Sequence, residues 1–116
     1  MPTLIGVIAA ALLLWVSAVG ADEIAPETDK LLWCASAFYW LAGSADDAGE
    51  AEEAELYDSW YAALVEEGSA ALAAAGTTAE RVEEIIASYD DLVLGELATD
   101  KARYDVLGCP ALLPAE

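Results

Sequence analysis

Two cysteines bracket the charged part of this chain and constrain its fold more than any other feature. Cys34 lies between Trp33 and Ala35 near the start of that part, and Cys109 precedes Pro110 near its end. A disulfide between them requires their Cα atoms to approach within roughly 7 Å. The two ends of the domain must then lie side by side, whatever comes between. Two cysteines allow one intramolecular connectivity. Chain-entropy reasoning gives the closure of so long a loop about 4 kcal/mol of stabilisation, as an upper value. The alternative is a pair of reactive thiols, for which the chain offers no Cys-x-x-Cys spacing and only Lys30 as a nearby cation.

Pairing needs an oxidising compartment, and the start of the chain reads as an export signal. Leu4 to Val16 is an unbroken apolar run, followed by the small residues Ser17, Ala18, Gly20 and Ala21. Val19 and Ala21 suit the specificity positions of a signal peptidase, which places the cut after Ala21. Residues 1–21 are then a signal peptide and residues 22–116 a periplasmic or secreted domain. Met1-Pro2-Thr3 carries no Lys or Arg, so either the α-amine supplies the positive charge or the start lies upstream. The competing reading is an uncleaved membrane anchor, because Thr3 to Ala21 is just long enough to span a bilayer. On that reading the membrane is contacted through this segment alone.

Charge removes several functions. Four basic residues face 22 acidic ones, for a net charge of -18. That balance repels nucleic acid, and four scattered cations make no phosphate-tracking stripe. The chain has no His, so no Ser-His or Cys-His nucleophile pair and none of the commonest metal ligand. Met1 is the only methionine, which excludes a Met-rich copper site. No cofactor is expected.

The remaining pattern is helical. A first helix is expected from near Thr28, as N-cap, to Gly43; it is apolar nearly all round and must be covered on most sides. Ser44 to Gly49 reads as a polar turn. A second helix runs from about Glu50 to Ala75, with acidic first turns that suit the positive end of the helix dipole. Leu56, Trp60 and Leu64 recur in it at helical spacing, Gly68-Ser69 suggests a kink, and Gly76 suits the C' position. Thr77-Thr78-Ala79-Glu80 reads as a capping box with Thr77 at N-cap. The third helix carries the stripe Val82, Ile85, Ile86, Tyr89, Leu92, Val93 and Leu97. No run alternates as a strand would. The expected fold is all-α, a small three- to four-helix bundle closed by one disulfide.

Equal helices running up, down and up would leave the two cysteines at opposite ends, so the last segment must turn back. A break near Gly95 or, preferably, Thr99 would do this and create a short fourth helix from about Asp100 to Leu107. Alternatively, the tail from Gly108 to Leu113 folds back along the first helix.

Three candidate sites stand out. The densest charge lies in Asp46, Asp47, Glu50, Glu52, Glu53, Glu55 and Asp58. It lacks the ligand spacing of a calcium loop and reads as a solvated helix start, with no metal expected. The pairs Glu66-Glu67, Glu83-Glu84 and Asp90-Asp91 do not converge, because neighbours on a helix point about 100° apart. The aromatics form two clusters, Trp33, Phe38, Tyr39 and Trp40 in the first helix and Tyr57, Trp60 and Tyr61 in the second, that meet if these helices make a hairpin; the expected face is Trp33, Phe38, Trp40, Tyr57, Trp60 and Tyr61. They read as core, or as a binding face for a protein or an apolar ligand.

Leu32-Trp33-Cys34-Ala35 and Cys109-Pro110-Ala111-Leu112-Leu113 resemble the corresponding segments of small exported helical single-disulfide proteins of proteobacteria, a group without an assigned function. The resemblance spans the mature chain in outline and carries no catalytic or binding residue with it. In size, helicity and single disulfide the chain is also similar to periplasmic acid-stress chaperones. Its charge argues against that role, since acid would neutralise the carboxylates that keep it soluble. The expected function is a non-enzymatic periplasmic interaction or structural module with an envelope protein as partner. The alternative is a carrier or chaperone for an apolar ligand or peptide.

Overall fold

A computed structural model describes residues 23–115. The segment read as signal peptide or anchor lies outside the described residues. Among those described, no helix is long and apolar enough to cross a membrane. The chain forms three long helices and a 3-10 segment: α1 (Pro26–Asp47), α2 (Ala51–Ala74), α3 (Ala79–Ala98) and Val106–Leu112. No strand occurs among the described residues. The all-α disulfide-closed bundle is therefore the fold of this domain.

Helix α1 is the central element. Every residue from Leu32 to Phe38 is buried, which explains why its sequence shows no polar face. It starts earlier than expected, with Ala25 at N-cap and Pro26 in the first helical position. Proline has a preset φ and no N–H to leave unsatisfied there. It also ends later, running through Gly43 and Ser44 to Asp47. Ala42 and Ala45 are buried in this stretch, so packing carries the helix past an exposed glycine.

Each long helix stops in the same way. A residue with positive φ follows it, and the next N–H reaches back five residues to a free carbonyl. Gly49 (φ 79°) leads Glu50 N–H to Ala45 C=O, and Gly76 (φ 95°) leads Thr77 N–H to Leu72 C=O. In the third case Asp100, with φ 59°, leads Lys101 N–H to Glu96 C=O. The break expected at Thr99 is present, and the Thr99 hydroxyl donates back to Gly95 C=O at 2.9 Å. The expected fourth α-helix from Asp100 to Leu107 does not form. In its place the chain makes an irregular turn and then the 3-10 segment, which contains both Cys109 and Pro110. At the start of α3 the cap is Thr78 rather than Thr77: its Oγ1 accepts from Arg81 N–H at 3.3 Å. The third helical position is then Arg81, not Glu80, so the reciprocal half of a capping box is absent.

Helix α2 packs along α1, while α3 packs on α1 and touches α2 much less. The buried stripe of α3 is correspondingly narrow: Val82, Ile85, Tyr89 and Val93 are buried, whereas Leu92 of the predicted stripe is exposed. In α2, Leu64 is fully buried and Leu56 is exposed. Helix α2 runs without a break through Gly68 and Ser69. Gly68 admits Leu32 of α1; a Cβ there would lie 2.6 Å from Leu32 Cδ2 and 3.3 Å from its Cγ. Gly68→Val should therefore overpack the interface and cost about 1–3 kcal/mol. A urea-unfolding midpoint no lower than that of the parent protein would discard this role.

Cys34 and Cys109 are bonded, with Cα atoms 5.5 Å apart and 75 residues of separation. Both are fully buried. The bond ties the 3-10 segment to α1, and Leu112 and Leu113 pack against the core beside it. The tail thus does fold back onto α1, which was the alternative route to the same pairing.

Candidate functional site

Two side-chain constellations gather residues from different helices. The first lies near the disulfide. Asp29, in the first turn of α1, accepts hydrogen bonds from the hydroxyls of Tyr89 and Tyr104, the latter at 2.6 Å. The Arg103 guanidinium also reaches it, with Nη1 3.2 Å from Oδ1. On its other side Arg103 donates to Glu96 of α3, from Nη2 at 2.6 Å and from Nε at 3.0 Å, both to Oε2. Glu96 Oε1 accepts from the Trp33 indole N–H at 3.1 Å and from the Arg103 backbone N–H at 3.1 Å. Trp33 meets the Tyr104 ring edge-on at 5.5 Å, and the Lys30 ammonium lies 5.8 Å from the centre of that ring. The turn after α3 is thereby pinned to the start of α1 at a site the cysteine spacing alone did not reveal.

The electrostatics of this clamp are those of fixed anions. Burial pushes the Asp29 carboxyl up, but the Tyr104 and Tyr89 hydroxyls and the Arg103 guanidinium outweigh it and hold the group below its ordinary range. The Arg103 hydrogen bonds likewise hold Glu96 down. Tyr89 is pushed up, first by burial and then by donating to Asp29; Tyr104 is pushed up, first by that same donation. Two opposing pH effects result. The lowered carboxyls contribute stability that is present above the ordinary carboxylate range and lost as pH falls through their folded values. The many other carboxylates repel one another, and acid removes that repulsion. The melting temperature should therefore rise as pH falls from 7 into the ordinary carboxylate range near about 4 and fall again below that range, and salt at pH 7 should also raise it. In Arg103→Met the acid-side fall should shrink. A melting temperature that climbs steadily to pH 2 would exclude the clamp as a contributor. On the alkaline side, the raised Tyr89 and Tyr104 contribute stability that is lost as pH climbs beyond about 10.

The second constellation is the aromatic one. Phe38 stacks on Tyr57 at 6.2 Å and lies 5.2 Å from Trp60, so the two predicted clusters do meet. Tyr39 stands beside Trp40 at 5.1 Å and Tyr61 at 5.7 Å. Trp40 donates its indole N–H to Asp90 C=O at 2.8 Å, while Ser36 Oγ donates to the Asp90 carboxylate at 2.8 Å. Trp33 and Phe38 are fully buried, with Trp33 set apart from the others beside Tyr104. Trp40, Tyr57, Trp60 and Tyr61 are half-buried. Tyr39, which belongs to the first cluster but not to the six residues of the expected binding face, is 44% exposed. The most exposed aromatic, Tyr39, thus stands with Trp40 and Tyr61 on an α1–α2 face, and Tyr39 and Trp40 line a shallow cleft of about 340 Å³ bordered by Asp46 and Asp58.

The other acidic residues of that stretch surround the α1–α2 turn. Glu50 lies close enough to Glu53 to hold its carboxyl above the ordinary range, first by hydrogen bonding and then by charge. Among the described residues, no three acidic or sulfur ligands converge as a metal site would need.

Comparison of the chain with protein-family models, with curated proteins and with solved structures found no match in any of the three.

Proposed function

We propose that this protein is a non-enzymatic interaction or structural module of an oxidising compartment outside the cytoplasm, presenting the Tyr39–Trp40–Tyr61 face to a protein partner. The observation that carries this reading is the placement of Tyr39, a large aromatic left 44% exposed beside two half-buried ones. Aromatic residues of this kind anchor protein interfaces, because their rings lose much water-exposed area at little entropic cost. The face is open and shallow, as suits a protein surface more than an enclosed small molecule. The clamp supports a structural use of its two half-buried carboxylates. Asp29 and Glu96 are held as anions by Arg103 and by neutral donors, whereas a general acid needs a raised pKa. The disulfide suits the compartment.

The test is in-cell photocrosslinking from position 39. Replacing Tyr39 with benzoylphenylalanine should yield a discrete protein adduct in the envelope fraction. The same residue at Glu80, exposed at the start of α3, should not. Equal adducts from both positions, or none from position 39, would remove the reading.

One observation favours the carrier alternative. Val65 and Ala73 of α2 face Val82 and Ile86 of α3 across an open groove of about 480 Å³. A lipid-like ligand held there would protect Ile86 from solvent and leave Tyr39 untouched.

A further inference from the structure

The surface of the aromatic face carries a charge pattern that names the chemistry of its partner. Tyr39 and Trp40 line the cleft together with Asp46 and Asp58. Asp90 lies on the adjoining side, where its charge helps to push the Tyr61 hydroxyl up, after burial. Two helices thus deliver carboxylates to the cleft itself, Asp46 from α1 and Asp58 from α2, while the Asp90 carboxylate of α3 accepts from Ser36. Asp46 is placed against the local field, since it sits in the last turn of α1, where the helix dipole is already negative. No basic residue occupies that last turn.

The chain's own cations are elsewhere. Lys30 sits over Tyr104, Arg103 is in the clamp, Arg81 pairs with Glu84 at 3.1 Å, and Lys101 follows α3. None lines the cleft. Aromatic faces attract cations through their quadrupoles, and carboxylates at the edge reinforce the attraction. A positive side chain laid in the cleft would meet ring faces and carboxylates at once, and would relieve the repulsion at the end of α1.

We infer that this face docks a lysine- or arginine-rich segment of a partner protein, with a basic side chain seated between Tyr39, Trp40, Asp46 and Asp58. The inference rests on the interaction reading above and adds the partner's chemistry to it. An acidic segment is repelled by the same carboxylates. Association is fast at low salt and weakens as salt screens it.

The test is a titration of the oxidised protein, expressed from the full chain, with a synthetic lysine/arginine-rich dodecapeptide and with its glutamate-for-basic counterpart. Binding is followed by amide and indole chemical shifts. The basic peptide should move the signals of Tyr39, Tyr61 and the Trp40 indole first, and the acidic one none. The pair Asp46→Asn/Asp58→Asn should weaken binding by about ten-fold, and Tyr39→Ala by about three-fold. The charge-matched pair Glu66→Gln/Glu80→Gln, away from the cleft, should change it less than two-fold, by roughly the effect of net charge alone. All four positions are exposed, and unchanged melting temperatures establish that the variants fold. Equal weakening by both carboxylate pairs would reduce the effect to overall charge and overturn the site. Shifts centred on another face, or no binding of the basic peptide, would overturn it as well. If that happens while position 39 still crosslinks a protein, the basic-partner inference falls and the interaction reading stands. If crosslinking also fails, both fall.

Discussion

Breaking the Cys34–Cys109 bond should lower the melting temperature by roughly 15–30 °C, whether by reductant or by the pair Cys34→Ser/Cys109→Ser. The estimate combines a loop closure worth up to about 4 kcal/mol with a shift of about 4–8 °C per kcal/mol for a domain of this size. The effect is large here for a reason beyond loop length. The domain carries a net charge of -18 and opposes its own compaction at neutral pH. Both sulfurs are fully buried, so the serine pair would also place two hydroxyls in the core. The turn between α3 and the 3-10 segment keeps its second anchor through Arg103 and Tyr104, so the loss should be of stability rather than of fold. Thermal melting followed by circular dichroism, with and without reductant, measures this. Superimposable curves would mean that the staple does not hold the domain together.

Trp33→Ala should cost about 3–5 kcal/mol, the range for removing a large buried aromatic. Trp33 is fully buried, contacts the Tyr104 ring and gives Glu96 one of its donors. It therefore joins the centre of α1 to the end of α3 and to the turn that delivers Cys109. Trp33→Phe separates these roles, since it keeps most of the ring volume and removes the N–H. Its hydrogen-bond part should be about 1–2 kcal/mol, because Glu96 keeps the Arg103 guanidinium and some access to water. In Trp33→Phe combined with Glu96→Gln, the two effects should be less than additive. Chemical unfolding of the four proteins gives the coupling. An alanine variant within about 1 kcal/mol of the parent would show that the site collapses freely around the loss.

Much of this architecture is legible from residues alone, where local chemistry decides. The central position of α1 follows from its lack of a polar face, and Gly76 ends α2 as its conformational freedom suggests. The break at Thr99 follows from the geometry that a bond between Cys34 and Cys109 demands. The aromatic hairpin is equally readable, since Phe38, Tyr57 and Trp60 meet once α1 and α2 pair. The extent of α1 is not readable, because Gly43-Ser44 looks like a stop until Ala42 and Ala45 are seen buried on either side of it. Gly68 looks like a defect until Leu32 is seen against it.

The clamp is illegible in the sequence for the same reason. Asp29, Glu96 and Arg103 look like ordinary surface charges in the chain, and the one available signal is that Arg103 is among only four cations. Their meeting depends on how α3 lies against α1, and no local pattern encodes that placement. Periodicity and composition specify which residues must leave water and which turns must end a helix, since these are properties of a few neighbouring residues. Which helix faces finally touch depends on side chains fitting together across the bundle. That fit left Tyr39 exposed, buried Trp33 and set Asp46 and Asp58 at the edge of a cleft.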